Sequence, residues 1–410
     1  MLLSIAFPEL ILFVKSPPED VIVDLLVQMQ SIKYKAMSNF SYTFNALNLL
    51  TLLLIAPFSA NAIEIQCLNH QPTLDSTTST NDAEAQYRLG VAHDFGFCGK
   101  TDNSQAAKWY RQAAEQGHAS AQYRVGLLYL KASGVDLDRQ EALKWISLAA
   151  NQGISGAQYV LAGMLMAGNG VERDAGKAAI WYERAVQAGN PWAELALGRM
   201  LQDGQGVQQD ARHAIKLYEV AATQGLSDAM LALGMLYEFG APEVPKSPGS
   251  AMQWHRRAAD LGSAEAQYRI GLMHVMPHKG WAAMPNYAIA AEWYARAAEQ
   301  GHVRAQVNLA QLLKDGMGVP RNESKAFQWQ LLAAQQGDSV AQVNVAAAYA
   351  QGRGIDKNLE QAAKWLRSAA LQGNAAAQWY LAGMYSNGQG IPRDPKQAEQ
   401  WTRRAELESW

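Results

Sequence analysis

Histidine is the residue in this chain best equipped for chemistry, and two histidines stand at a suggestive spacing. His274 and His278 are four residues apart, with Met273 and Met276 beside them. On an unbroken helix their imidazoles would share one face and could begin a metal site. Pro277 interrupts that helix, and no carboxylate is spaced to complete the three ligands of catalytic zinc or the four of structural zinc. His118 and His302 follow glycines at helix ends and read as turn residues, while His93 and His274 read as packed side chains near positions that elsewhere carry aromatics such as Tyr129. No Gly-x-Ser-x-Gly, Cys/His dyad or Ser/His/Asp constellation can be assembled from the sequence. The expectation is therefore no catalytic residue, no metal, no cofactor and no small-molecule substrate.

Gly-x-Gly turns recur at Gly168, Gly204, Gly316, Gly352 and Gly388. They could be taken for phosphate loops. Their tandem recurrence, and the lack of a preceding strand and of a Lys-Ser/Thr pair, make them helix stops with positive-φ positions instead. Tryptophan or leucine recurs at 109, 145, 181, 217, 254, 293, 329, 365 and 401. Such a series could offer stacking platforms, but it recurs at fixed helical offsets beside alanine, and Leu217 fills one place. It is expected to be core.

The elements that hold these residues repeat. A segment beginning Ala-Gln-Tyr-Arg-Leu-Gly or a variant starts at Ala85, Ala121, Ala157, Ala193, Ala229, Ala266, Ala305, Ala341 and Ala377, in step with the tryptophans. Both series step by 36 residues, except for one step of 37 and one of 39. Two markers in one period through nine copies define a repeat array in which each unit packs mainly on its neighbours. With the first alanine as position 1, apolar or small residues at positions 1, 5 and 8 make one face of a helix A, and position 6 is always Gly or Ala, which suggests a close approach to the partner helix. Seven residues before each Trp or Leu217 stands Asp102, Asp138, Asp174, Asp210, Ser247, Asn286, Asn322, Asn358 or Asp394, an N-cap for helix B. Eight residues after it a glycine, Gly117 through Gly373, ends that helix in every copy but the last. The longer steps put extra residues before the helix B caps of copies five and six.

These residues together resemble the Sel1-like repeat, a relative of the tetratricopeptide repeat, over about residues 83–408. The resemblance implies an all-α, right-handed superhelical solenoid of helix-turn-helix repeats, and a role in assembling protein complexes. Exported bacterial members are similar to periplasmic assembly factors and to virulence factors. Copy one, whose turn holds Cys98, and copies five and six depart from the pattern.

Composition agrees with such an array. Charged residues are 18%, hydrophobic residues 49%, and the net charge of -2 gives no electrostatic footprint for nucleic acid or an anionic membrane. The N-terminal part lies outside the array. The apolar run Ala46–Phe58 is short of the roughly 20 residues of a spanning helix. Followed by Ala60-Asn61-Ala62, it matches a secretory signal. The reading is a mis-assigned extension at 1–36, a signal peptide at 37–62 starting from Met37, a flexible leader at 63–82 and the solenoid at 83–410. The alternative for the apolar run is an amphipathic or anchored N-terminal helix. Export to the periplasm or cell surface would let Cys67 and Cys98 pair, with two free thiols as the alternative.

Function should lie where the copies differ. Position 3 is apolar in every copy, including Tyr87 and Tyr123, so packing between repeats competes there with exposure. Position 4 varies: Arg88, Arg124, Arg269, Asn308, Asn344 and Tyr380 are its polar and aromatic members. Arg and Tyr dominate binding hot spots, so these residues mark a candidate partner surface on a concave helix A face. The expected function is a non-enzymatic protein-interaction scaffold with an unidentified protein partner. A surface virulence factor engaging a host protein or lipid is the alternative, followed by a cell-wall-active enzyme.

Overall fold

The computed structural model describes residues 82–96, 100–276 and 284–408. The expected extension, signal peptide and nearly all of the leader lie outside the described residues, as do Cys67, Cys98, His278 and most of the copy-six insertion.

The described residues form helices and no β-sheet. They are α1 (Ala83–Phe95), α2 (Asn103–Glu115), α3 (Ala119–Lys131), α4 (Arg139–Asn151), α5 (Ser155–Ala167), α6 (Ala175–Gln187), α7 (Pro191–Asp203), α8 (Ala211–Thr223) and α9 (Ser227–Phe239). There follow α10 (Pro248–Asp260), α11 (Ala264–Val275), α12 (Tyr287–Glu299), α13 (Val303–Asp315), α14 (Glu323–Gln335), α15 (Ser339–Gln351), α16 (Leu359–Leu371), α17 (Ala375–Asn387) and α18 (Pro395–Glu408). Odd numbers are A helices and even numbers B helices. The chain divides into two compact units, one ending at Asp174 and the other beginning at Ala175. Within each unit every helix packs on the next in sequence, α1 to α5 in the first and α6 to α18 in the second. Each is built as an all-α helical-repeat solenoid is built.

Local chemistry sets the helix boundaries. The side chains of Asp102, Asp138, Asp210, Ser247, Asn286, Asn322, Asn358 and Asp394 each accept from a first-turn amide, as in Asp210 Oδ1 from His213 N at 2.8 Å. Except behind Ile154 and Leu226, side chains cap the A helices as well, seven of the nine described, which the sequence alone does not announce. Asp82, Asn190, Ser263, Asp338 and Asn374 cap them, and His118 and His302 do so through Nδ1, 3.1 Å from Ala121 N and 3.2 Å from Ala305 N. Those two histidines are caps rather than plain turn residues.

Alanine is the close-packing residue. Ala106 and Ala113, Ala142 and Ala149, and Ala290 and Ala297 are wholly buried on B helices, as are Ala121, Ala229, Ala305 and Ala377 on A helices. The Trp series is less buried than expected. Trp145, Trp293 and Trp401 are core, whereas Trp109, Trp181, Trp254, Trp329 and Trp365 are half-buried, two of them beneath an arginine guanidinium: Arg184 lies 4.4 Å from the Trp181 ring and Arg257 4.6 Å from that of Trp254. The deepest side chain of helix B is the next residue: Tyr110, Ile146, Tyr218, His255 or Tyr294.

That residue explains position 6. A Cβ on Gly198 would lie 2.5 Å from Tyr218 Cε1, and one on Gly271 would lie 2.5 Å from Tyr294 Cε1; Gly90, Gly126 and Gly234 face Tyr110, Ile146 and His255 in the same way. The glycine admits a large side chain, not a second backbone. Where position 6 is Ala310, Ala346 or Ala382, the matching B residue is Gln330, Leu366 or Thr402; copy three departs, with Ala162 and Tyr182. The second glycine of each turn, by contrast, does meet backbone. At Gly170 (φ 75°) a Cβ would stand 2.7 Å from Arg139 O, in the first turn of the preceding B helix.

A ladder of buried glutamines ties copies together. Gln122, Gln267, Gln306 and Gln342 at position 2 each donate through Nε2 to a carbonyl near the end of the preceding B helix, at 3.1–3.4 Å. Each accepts from a glutamine at the end of its own B helix, as in Gln152 to Gln122 at 2.7 Å and Gln372 to Gln342 at 2.9 Å. Both partners change together in copy five, to Met230 and Leu261, and in copy four Glu194 accepts from Gln224.

Candidate partner-binding face

The residues singled out at positions 3 and 4 are not equally available. Arg88 and Tyr380 are exposed. Tyr87 is buried, its ring stacked on His118 with centroids 4.6 Å apart, so it is a packing residue and not an anchor. Tyr123 is half-buried, its hydroxyl pressed against Gly156 of the next copy. Arg124 lies over the Phe95 ring at 5.6 Å. The Arg269 side chain is only 14% exposed, held by Glu265 Oε1 at 2.8 Å and Glu238 Oε2 at 3.3 Å. Asn308 lies beside the hydroxyls of Tyr268 and Tyr294, and Asn344 Nδ2 reaches Gln330 Oε1 at 3.5 Å. For most of these residues, then, position 4 is a junction between repeats and not free surface.

Within each unit three positions come together where one copy packs on the next: position 10 of helix A, the B residue after the Trp, and position 4 of the next helix A. In copy one these are Asp94, Tyr110 and Arg124. The Tyr110 hydroxyl donates to Asp94 Oδ2 at 3.1 Å, and burial together with the Asp94 charge pushes its pKa far above the usual phenol. In copy five they are Glu238, His255 and Arg269, with His255 Nε2 3.1 Å from Glu238 Oε2. Burial raises the Glu238 carboxyl, but the hydrogen bond from His255 and the Arg269 charge outweigh it and hold the group below its usual value. In copy four Tyr218 donates to Gln202 Oε1 at 3.0 Å. In copy six Tyr294 meets Asn308, and burial pushes the phenol up to about 12. The frame is constant while its contents range from acid–base to apolar.

Copies one and six share a second constellation. Glu84 binds Arg88 Nε (2.7 Å) and His118 Nε2 (3.0 Å); Glu265 binds Arg269 Nε (2.8 Å) and His302 Nε2 (2.9 Å). Because Nδ1 of each histidine accepts a cap bond, the proton of the neutral ring sits on Nε2 and is donated to the glutamate. Tyr268 stacks on His302 as Tyr87 does on His118. The signal was present in the sequence: Glu directly before position 1, and His as the next A-helix cap, occur together only in these two copies.

Elsewhere the chemistry is sparse. His274 is half-buried and its pKa is lowered by burial and by Arg256. No cluster of three or more metal-ligating side chains occurs among the described residues, and no described helix is long and apolar enough to cross a membrane. The copy-five insertion closes as a tight turn: Ala241 and Val244 exchange both backbone bonds (3.0 and 2.9 Å), Glu243 takes φ 63° and Val244 is buried.

Tandem helix pairs with a fixed frame and variable junctions define a helical-repeat scaffold. The Sel1 repeat model matches nine consecutive stretches: 83–118, 119–154, 155–190, 193–226, 227–263, 264–302, 303–338, 339–374 and 375–407, and the chain belongs to that family. Among solved structures it is similar to a protective antigen present in uropathogenic Escherichia coli strains, at 28% identity and TM-score 0.53, covering 90% of this chain and 91% of that one. It is also similar to a Sel1 repeat protein from Oxalobacter formigenes, at 29% identity and TM-score 0.63, covering 82% and 93%. A search of curated proteins found no match. Sel1-repeat proteins generally mediate protein–protein interaction, and their scaffold fold is typically non-catalytic.

Proposed function

We propose that this chain is a non-enzymatic scaffold, exported to the bacterial envelope, that holds a partner protein against its A helices. The observation that carries the reading is the contrast between an invariant frame and variable junctions: capped helices, buried alanines and glutamine pairs recur, while the side chains along the A helices change from copy to copy. A surface assembled that way binds through many shallow contacts with a few anchors. Arg88 and Tyr380 are the exposed anchors. The export component rests on the Ala46–Phe58 run and the Ala60-Asn61-Ala62 site in the sequence.

Cross-linking of the full chain in envelope extracts, followed by mass spectrometry, tests the face. Cross-links should fall on A helices and weaken in R88E and Y380A; cross-links confined to the B helices would remove the reading. Amino-terminal sequencing of the exported protein should find Ile63 first. The resemblance to a protective antigen favours a second reading, a surface or secreted factor that engages a host protein or lipid. Capture from host lysate, with cross-links on the same A helices, would support it.

A further inference from the structure

The junction of copies seven and eight is chemically unfinished. Its three positions hold Lys314, Gln330 and Asn344, where copies one and five hold Asp94, Tyr110 and Arg124 or Glu238, His255 and Arg269. In those two copies an acid at position 10 answers the arginine of the next helix. Here a lysine takes the acid's place, and no acid is supplied in return. With Gln330 in place of the large B residue, over Ala310, a small pocket of about 90 Å³, open to solvent, lies between α13, α14 and α15. Lys314 and Arg353 stand among its walls and make no salt bridge among the described residues. Glu323, the one carboxylate lining it, is taken by Arg321; that contact, with Arg353 and Lys314 nearby, holds it below its usual pKa. Gln311, also in the wall, donates to Asp315 at 2.5 Å.

Gln330 is the second observation. It is 8% exposed and lines the pocket, its Oε1 meets Asn344 at 3.5 Å, and its Nε2 has no protein acceptor. That donor is not sealed from solvent, so water or a ligand in the pocket can supply its acceptor. Surplus cations and an unused donor around one cavity call for an anionic oxygen.

We propose that this pocket takes an acidic side chain, Asp or Glu, presented on an extended segment of the partner protein. The inference rests on the proposed partner role of the A helices. The carboxylate plays the part that Asp94 and Glu238 play in their own junctions: it meets Lys314 and Arg353 and accepts from Gln330 Nε2. Charge-assisted hydrogen bonds of this kind are about twice as strong as neutral ones. The partner's main chain runs beside Asn344, which retains an acceptor oxygen.

The test uses the full chain and an array of end-blocked synthetic peptides in acidic, neutral and basic classes. Acidic peptides should be retained about tenfold better than neutral ones, with the advantage shrinking as salt rises. K314E/R353E, which alters exposed or rim residues, should erase the preference. So should A310G/Q330Y, which rebuilds the Gly271/Tyr294 pair of copy six and fills the cavity; far-UV circular dichroism checks that both fold. No acidic preference in the unmodified chain, a preference that survives A310G/Q330Y, or equal competition by free sodium glutamate would each overturn the site. Cross-links of the native partner separate the two failures. If they remain on A helices while the preference is missing, the pocket falls and the face stands. If they lie on B helices, both fall.

Discussion

Replacing Gly198 by alanine should destabilise the protein, although alanine is the better helix former. The new methyl would stand 2.5 Å from Tyr218 Cε1, 2.8 Å from Cδ1 and 3.1 Å from Cζ. Carbon atoms in contact prefer about 3.5–4.0 Å, so the ring or one helix must give by about 1 Å. The ring is poorly placed to do so, because Tyr218 is wholly buried and its hydroxyl is held by Gln202 on α7, the helix that carries Gly198. Overpacking of this kind costs about 1–3 kcal/mol, and loss of the Tyr218–Gln202 bond adds about 1 kcal/mol. Against this stands a helix-propensity gain of about 1 kcal/mol, which leaves a net loss of about 1–3 kcal/mol. In a Y218L background the clash is gone and only the propensity gain remains, so the same G198A change should stabilise by up to about 1 kcal/mol. Copy eight already carries that combination, in Ala346 and Leu366. Urea unfolding followed by circular dichroism reads the total, and amide hydrogen exchange on α7 and α8 reads the local effect, since a repeat array can unfold in parts. A neutral or stabilising G198A in the unmodified chain, or equal effects in both backgrounds, would refute the account of position 6.

Three further outcomes follow from the same geometry. Q342L removes one of the two donors to Ala334 O, which keeps Gly337 N, and the better acceptor of Gln372 Nε2, which keeps Ser368 O at 3.4 Å; it should cost about 1 kcal/mol in urea unfolding, whereas Q342M/Q372L, the copy-five solution, should recover most of it. G354A should destabilise more than G352A: both force a non-glycine residue to positive φ, at about 1–2 kcal/mol, but only the Gly354 methyl would collide with backbone, at Glu323 and Ser324. Two glutamates should give opposite pH signs when urea midpoints are compared across pH. Burial raises Glu194 above 4.5, so its ionised form costs stability increasingly as pH climbs through the raised value, and E194Q should stabilise at neutral pH and fade in acid. The His302 hydrogen bond and Arg269 hold Glu265 below 4.5 against its burial; its contribution is complete above 4.5 and lost as pH falls through the lowered value, so E265Q should destabilise at neutral pH and not in acid.

The repeat frame was legible because its causes are local. A cap such as Asp210 and a C-terminal glycine such as Gly225 act within a few residues of themselves, so nine copies of one spacing sufficed to place the helix B boundaries. What escaped the reading acts between segments about thirty residues apart. Gln122 stands in the plainest motif of the chain, yet glutamine reads as surface until both its carbonyl partner and Gln152 are seen beside it. His118 read as a turn residue because Glu84, visible in the sequence one helix pair earlier, comes beside it only in the folded repeat. Position 4 was misjudged for the same reason: variation between copies looked like freedom to meet a partner, whereas Arg124 and Arg269 vary in step with Asp94 and Glu238.

Variation alone therefore does not mark function in a repeat array; it marks function only where it is uncompensated. At the junction of copies one and two the acid and the arginine change together, and at that of copies five and six they do so again, so the departures cancel inside the protein. Between copies two and three, Leu130, Ile146 and Val160 cancel by being apolar. At Lys314, Gln330 and Asn344 the change at position 10 reverses the charge, the change after the Trp removes a ring, and position 4 answers neither. A fold held together by matched junctions gains nothing from such a mismatch. Lys314 and Arg353 are exposed to water there, so the mismatch leaves room for an acid supplied from outside, and this is why a partner's contribution is proposed at that junction rather than at the more conspicuous arginines.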